Sequence, residues 1–202
     1  MERFAIMGVD QSLNSTGVCV YSAVKRTVKG TPKINICRPM YYNILPEQKV
    51  TKKLAGTVHE SFKILTYDKQ EGNDYESKEL AKTTNIMAIC SHIGYLIETW
   101  HPDALVMEGI SYGSVGSASL IDLAGLNFCI RQLAIKHGTP VRLASPMTVK
   151  KLATGNGGAL KDEMIWAWRN CDKLIKDLDL TKVDDLADAY WLARIYEDEY
   201  IK

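Results

Sequence analysis

The feature that most constrains the fold is a change of hydrophobic rhythm along the chain. Two apolar, strand-like runs, RFAIMGV (3–9) and GVCVYS (17–22), have a short, mostly polar, Ser/Asn-rich loop between them. That arrangement reads as a hairpin. A third run, KINICRPMYYNI (33–44), reads as a strand interrupted or ended near Pro39, because proline has no N–H to give to a ladder. The period then changes. Leu80, Thr84, Met87, Ile93, Leu96 and Ile97 recur at three- and four-residue steps, which predicts a helix over 76–99, and Pro102 punctuates its end. DALVMEG (103–109) is a short strand ending in an acid, and ISYGSVGSA (110–118) is a Gly/Ser-rich loop. A second helix is predicted over 119–137, with Leu120, Leu123, Leu126, Ile130, Leu133 and Ala134 at helical spacing, and PVRLAS (140–145) reads as a further strand. Ser145-Pro146 is a helix start, Ser as cap and Pro at the first helical position. TGNGG (154–158) breaks the chain before two last helical patterns, 160–170 and 182–199. A hairpin feeding alternating helices and strands predicts an α/β fold, a mixed sheet flanked by helices.

Length and composition bound the function classes. At 202 residues the chain is expected to form one domain over 1–202, since domains run to roughly 100–200 residues. Residues 45–75 are polar and basic and predict no element, so an insertion or extended arm is expected at about 24–75. With 46% hydrophobic and 24% charged residues, a wholly disordered or collagen-like chain is excluded. No apolar run approaches the ~18–20 residues of a membrane-spanning helix. The start, MERFAIMGVDQ, reaches Asp10 too soon for a signal-peptide core, which leads to the expectation of a cytoplasmic protein with no membrane partner. Cys19, Cys37, Cys90, Cys129 and Cys171 are odd in number and lack a C-x-x-C pair. They are expected to be buried, reduced thiols rather than a zinc or disulfide framework.

Charge nearly cancels over the chain, at +1, yet it is patterned. Residues 24–70 carry ten bases, Lys52 and Lys53 among them, against three acids, Glu47, Glu60 and Asp68. A local positive segment of this kind suits a polyanion such as nucleic acid; a solvated hairpin face would show the same pattern.

Four carboxylates stand at element ends. Asp10 closes the first predicted strand, and Glu108 closes LVME in mid-chain. Asp185 and Asp188, three apart on the last helix, share one face. Singly, such acids are turn formers or helix-dipole partners. Together they offer an all-oxygen ligand set, which suits magnesium or manganese. Two such ions ~3.5–4 Å apart support phosphodiester hydrolysis.

In these residues the sequence resembles the RuvC family of Holliday-junction resolvases, of the ribonuclease-H-like superfamily. The resemblance is carried by four motifs in family order: GVDQSLNSTGVCVY (8–21), LVMEGISYG (105–113), SPMTVKKLATGNGGALKDEM (145–164) and DDLADAYWLA (184–193). The length of 24–80 looks like the divergent resolvases of phages or large DNA viruses. The resemblance implies a ribonuclease-H-like, mixed five-stranded sheet. It makes Asp10, Glu108, Asp185 and Asp188 metal ligands and catalytic residues, with Mg²⁺ or Mn²⁺, two ions per site. It makes Lys161 a catalytic lysine as well as a DNA contact, with Lys150 and Lys151 as phosphate contacts. Tyr112 falls in the loop where the family places an aromatic that wedges into the junction. Residues 116–137 correspond to the helix of the family's dimer interface, which implies a homodimer. A two-fold dimer supplies two sites for the symmetric cuts of a four-way junction.

The expected function is therefore a metal-dependent, structure-selective endodeoxyribonuclease acting on branched DNA. Three alternatives stand beside it: a ribosomal-RNA-processing nuclease of the same superfamily, an actin-like phosphotransferase, and a non-catalytic DNA-binding protein. The phosphotransferase usually needs two such domains, and the presence of all four acids argues against the last.

Overall fold

The computed structural model describes residues 2–28, 31–56, 59–110, 117–172 and 184–200. The hairpin is β1 (Glu2–Asp10) and β2 (Thr16–Val28), paired antiparallel from Glu2–Lys25 to Asp10–Gly17. The third run divides at Arg38-Pro39 into β3 (Thr31–Ile36) and β4 (Met40–Pro46). β3 pairs with the far end of β2, and β4 pairs antiparallel with its near end, Gly17 opposite Asn43. A 3₁₀ turn (Glu47–Lys49), a short helix α1 (Lys52–Ala55) and β5 (Phe62–Tyr67) follow. Residues 45–75 therefore do carry elements, contrary to the expectation. β5 lies parallel to β4, a pairing that leaves no local trace in the sequence. Next come α2 (Tyr75–Trp100), β6 (Ala104–Glu108), α3 (Ser117–Lys136), β7 (Val141–Ala144), α4 (Pro146–Thr154) and α5 (Lys161–Cys171). The last helical pattern divides into α6 (Asp184–Arg194) and α7 (Glu197–Tyr200).

Among the described residues the sheet has seven strands, not five, in the order β5-β4-β2-β1-β6-β7 with β3 on β2. β6 is parallel to β1, and β7 to β6. Every strand but β2 thus runs in one direction. The C-terminal ends of β1, β4, β5, β6 and β7 meet along one edge, where sites form in sheets of this kind.

Local chemistry sets the helix ends. Asp74 caps α2, its carboxylate accepting from Ser77 N at 2.8 Å while Ser77 Oγ accepts from Asp74 N at 3.1 Å. The helix stops at His101, which takes the left-handed conformation at φ 45°, and Pro102 forbids a return. Ser145 caps α4 with Pro146 in its first turn, and Gly155 ends it at φ 80°.

β1 is buried on both faces. Ile6, Cys19, Tyr21 and Val106 face Leu186, Tyr190 and Trp191 of α6 and Trp168 of α5. Met7, Val9, Val18 and Leu105 face Ile89 and Ile93 of α2 and Leu126 and Ile130 of α3. Each such side chain withdrawn from water contributes about 1.5–3 kcal/mol. One buried polar chain is paired within this packing: Trp168 Nε1 donates to Tyr41 Oη at 3.1 Å, and Tyr41 Oη donates to Asp172 at 2.8 Å. All five cysteines are free, but only Cys19 is buried; Cys37, Cys90 and Cys129 are half-buried and Cys171 is exposed. Among the described residues, no helix is long and apolar enough to cross a membrane.

α6 rests directly on the backbone of β1 and β2. A Cβ on Gly8 would lie 2.0 Å from Ala189 O, and one on Gly17 would lie 2.2 Å from Asp185 O. Two glycines, one on each strand, therefore set how closely the last helix approaches the sheet.

Candidate active site

Strand register builds the site. Asp10 is opposite Gly17, and Gly17 is opposite Asn43. Side chains at paired positions point to the same face, so Asp10, Gly17 and Asn43 form one row facing α6. Glu108 lies one residue past the Val9–Met107 pair of β1 and β6, which extends the row on the other side of Asp10. α6 enters over Gly17, laying Asp185 above the row. Asp188, one turn on, reaches the same face.

The electrostatics record this convergence. Asp10 is held well above the usual carboxylate range, first by burial and then by the charges of Asp188, Asp185 and Glu108. Glu108 is pushed up to about 7 by burial and then by Asp188, with Lys150 opposing. Asp188 is pushed up to about 6, chiefly by burial, with Lys161 opposing. Four acids at one place repel, and each disfavours ionisation of the next. The structure thus brings together Asp10, Glu108, Asp185 and Asp188, and sets Lys150 and Lys161 against them.

Lys161 is anchored. Its ammonium donates to Asp184, which raises the lysine. Burial works to raise Asp184, but this bond outweighs it and the carboxyl is lowered. Asp184 thus holds the lysine at the cluster's rim. On the other side of the sheet, Asn127 of α3 is fully buried and its Nδ2 donates to Glu108 O at 3.0 Å, fixing the end of β6.

The donor chemistry fits a hard divalent cation: oxygen ligands, desolvated, with excess negative charge. Among the described residues, however, no group of three or more His, Cys, Asp or Glu side chains is already arranged as a metal cage.

The basic segment is not one surface. Lys25 and Arg26 of β2 and Lys33 of β3 lie by register at the end of the sheet where β1 begins. From Glu2 to Asp10 is ~26 Å at a strand's rise. Arg38 is paired with Glu60. Lys52 and Lys53 follow β4 and so lie beyond the same edge as the carboxylates; both are exposed. Lys151 is exposed on α4 beside half-buried Lys150. Tyr112 lies outside the described residues.

Sequence reasoning missed Gly8, Gly17, Ser15, Asn43 and Asn127. One signal was present: Asn43 interrupts the apolar run MYYNIL, and a buried amide must find a partner.

Comparison with known proteins agrees with this geometry. No family model matches the chain. Residues of this chain are 29% identical to crossover junction endodeoxyribonuclease RuvC of Dictyoglomus thermophilum over 109 residues, 53% of the chain and 66% of that protein. The RuvC of Akkermansia muciniphila is 26% identical over 127 residues, 61% of the chain and 73% of that protein. Thermus thermophilus RuvC, solved with a Holliday junction substrate, superposes with a TM-score of 0.62 over 96% of this chain and 92% of that one, at 18% identity. A second T. thermophilus RuvC structure gives 0.58 at 17% identity. The chain has the RuvC fold. The superposition covers nearly the whole chain, so the mixed sheet and its flanking helices fall within it.

Proposed function

We propose that the chain is a metal-dependent endodeoxyribonuclease that resolves Holliday junctions, and related branched DNA, by phosphodiester hydrolysis. The observation that carries this reading is the meeting of Asp10, Glu108, Asp185 and Asp188 on one face, opposed by Lys150 and Lys161, on the RuvC fold. The four carboxylates would hold Mg²⁺ or Mn²⁺, two ions per site. What bound ions would supply there is activation of a water and stabilisation of the leaving oxygen in an in-line displacement.

The chain's own residues do the rest. Lys161, steadied by Asp184, presents positive charge where negative charge builds on the phosphate. Lys150, Lys151, Lys52 and Lys53 bind backbone phosphates along the active edge, which positions the arms without reading sequence. Tyr112 stacks on an unpaired base at the junction centre. A homodimer across α3 supplies the second site. Ile121, Phe128 and Ile135, seven apart on that helix, are 71%, 59% and 68% exposed and make one apolar stripe. The setting is the cytoplasm of a bacterium or of a phage-infected host.

The test is incubation with labelled four-way, forked and linear duplexes and with structured RNA, each with and without Mg²⁺ or Mn²⁺. Metal-dependent cutting of the four-way junction is expected. Asp10→Asn is expected to bind the junction and not cut it. Cleavage by that variant at the wild-type rate refutes the assignment.

A further inference from the structure

Asp185 does not stand alone above Gly17. Ser15, in the β1–β2 loop and 7% exposed, places its Oγ in hydrogen-bond contact with Asp185 Oδ2 and 3.2 Å from Asn43 Oδ1. Asn43 is 2% exposed. A serine hydroxyl has one proton to give. It cannot serve two acceptors, and the ionised carboxylate takes it as the stronger charge-assisted bond. The oxygen and nitrogen of a side-chain amide are interchangeable in placement. With the Asn43 amide turned, its Nδ2–H donates to Ser15 Oγ, and Ser15 Oγ–H donates to Asp185. Every donor in this buried chain then points toward the acid.

We propose that Asn43 and Ser15 form a two-step relay that orients Asp185 at the metal-binding cleft. They are positioning residues and touch neither metal nor DNA. The relay comes from a loop and a strand whose only relation to α6 is spatial, and the row Asp10–Gly17–Asn43 brings them to it. Hydrogen-bonded partners behind a ligand fix its orientation and typically alter metal affinity 10–100-fold.

This inference rests on the carboxylates being metal ligands, so its test is metal binding without DNA. Free Mn²⁺ is titrated into the full chain and followed by its electron paramagnetic resonance signal. Ser15→Ala is expected to weaken binding about 10-fold or more, and Ser15→Thr, which keeps the hydroxyl, to stay close to wild type. Asn43→Ala is expected to weaken binding as well, and the double variant to be no worse than Ser15→Ala alone, because both act through one hydroxyl. Should Asn43→Ala fail to fold by circular dichroism, the Ser15→Ala and Ser15→Thr pair decides. Wild-type affinity in Ser15→Ala, equal weakening in Ser15→Thr, additive losses in the double variant, or no Mn²⁺ binding by the wild type overturns the relay. If the wild type binds Mn²⁺ and Ser15→Ala weakens it, yet no branched DNA is cut, the relay stands and the nuclease reading fails.

Discussion

Replacing Gly17 by alanine tests how the last helix is registered on the sheet. A Cβ there would lie 2.2 Å from Asp185 O, 2.5 Å from Asp185 C and 3.1 Å from Asp185 Cβ. Ordinary contact begins near 3.4 Å, so backbone must separate from backbone by about 1.2 Å, the difference between 3.4 and 2.2. Neither side is a flexible chain end that can swing away. Overpacking of this kind costs about 1–3 kcal/mol, set against about 0.5–1 kcal/mol gained by removing a strand glycine's entropy. A net loss near 1–2 kcal/mol lowers the melting temperature by roughly 2–8 °C in a domain of this size. The displaced atoms belong to Asp185 itself, so the chemical step is expected to suffer more than stability does. A misplacement of ~1 Å at a reacting centre can cost about 100-fold. The assay is single-turnover cleavage of a labelled four-way junction with enzyme in excess, beside thermal melting and junction binding in EDTA. Gly125→Ala is the control, since its Cβ would meet only Ile86 Cδ1, at 3.5 Å, and a helical alanine is favoured by about 1 kcal/mol. Gly17→Ala cutting at the wild-type rate, with an unchanged melting temperature, would show that α6 does not rest on β2 as described. A lowered melting temperature with an unchanged rate would show that Asp185 need not sit where it does.

Two further outcomes follow from the same structure. Without metal, Glu108 and Asp188 titrate near 7 and 6 instead of near their ordinary 4.5 and 3.8. Their contribution to stability is therefore present below about pH 4 and lost as pH rises through 6–7, and for Glu108 alone it is on the order of 3 kcal/mol. In EDTA the melting temperature is expected to fall between pH 5 and 8, and Glu108→Gln to melt higher than wild type at pH 8; a lower-melting variant would contradict the burial argument. If the proposed dimer forms across α3, Phe128→Glu, at an exposed position on that helix, is expected to give a monomer in sedimentation while changing the monomer's own stability by no more than about 0.5 kcal/mol; a variant that dimerises like the wild type would contradict that interface.

How much was legible in the sequence depended on how local each signal was. The helices α2 and α4 announced themselves through Pro102, Ser145, Pro146 and the TGNGG break, since such punctuation is written within a few residues of its helix; the Asp74 cap of α2 was not read. The four acids were readable because each follows or opens an apolar run, where an unpaired charge is costly. β5 was not, because FKILTY is six residues long and finds its partner β4 across an intervening turn and helix. Ser15 offered no signal: a serine in a polar loop looks like any other until Asn43 and Asp185 are brought to it. Gly8 and Gly17 were read as ordinary strand residues, because only the docked helix reveals that no side chain fits. The basic stretch misled for a related reason. Its lysines are neighbours in sequence, but the reversal at β2–β3 sends Lys25 and Lys33 to the end of the sheet away from Lys52 and Lys53.

Asp10 comes from the first strand, whereas Asp185 and Asp188 arrive only with α6, after every strand of the sheet. During synthesis, a ribosome that has exposed the first 170 residues displays two of the four acids and Lys161, but none of the C-terminal pair. Under the proposed function, a chain that ends before Asp185 lacks half of its carboxylate cluster and is expected not to cut, so the order of elements withholds the complete site until the C-terminal helix has been made.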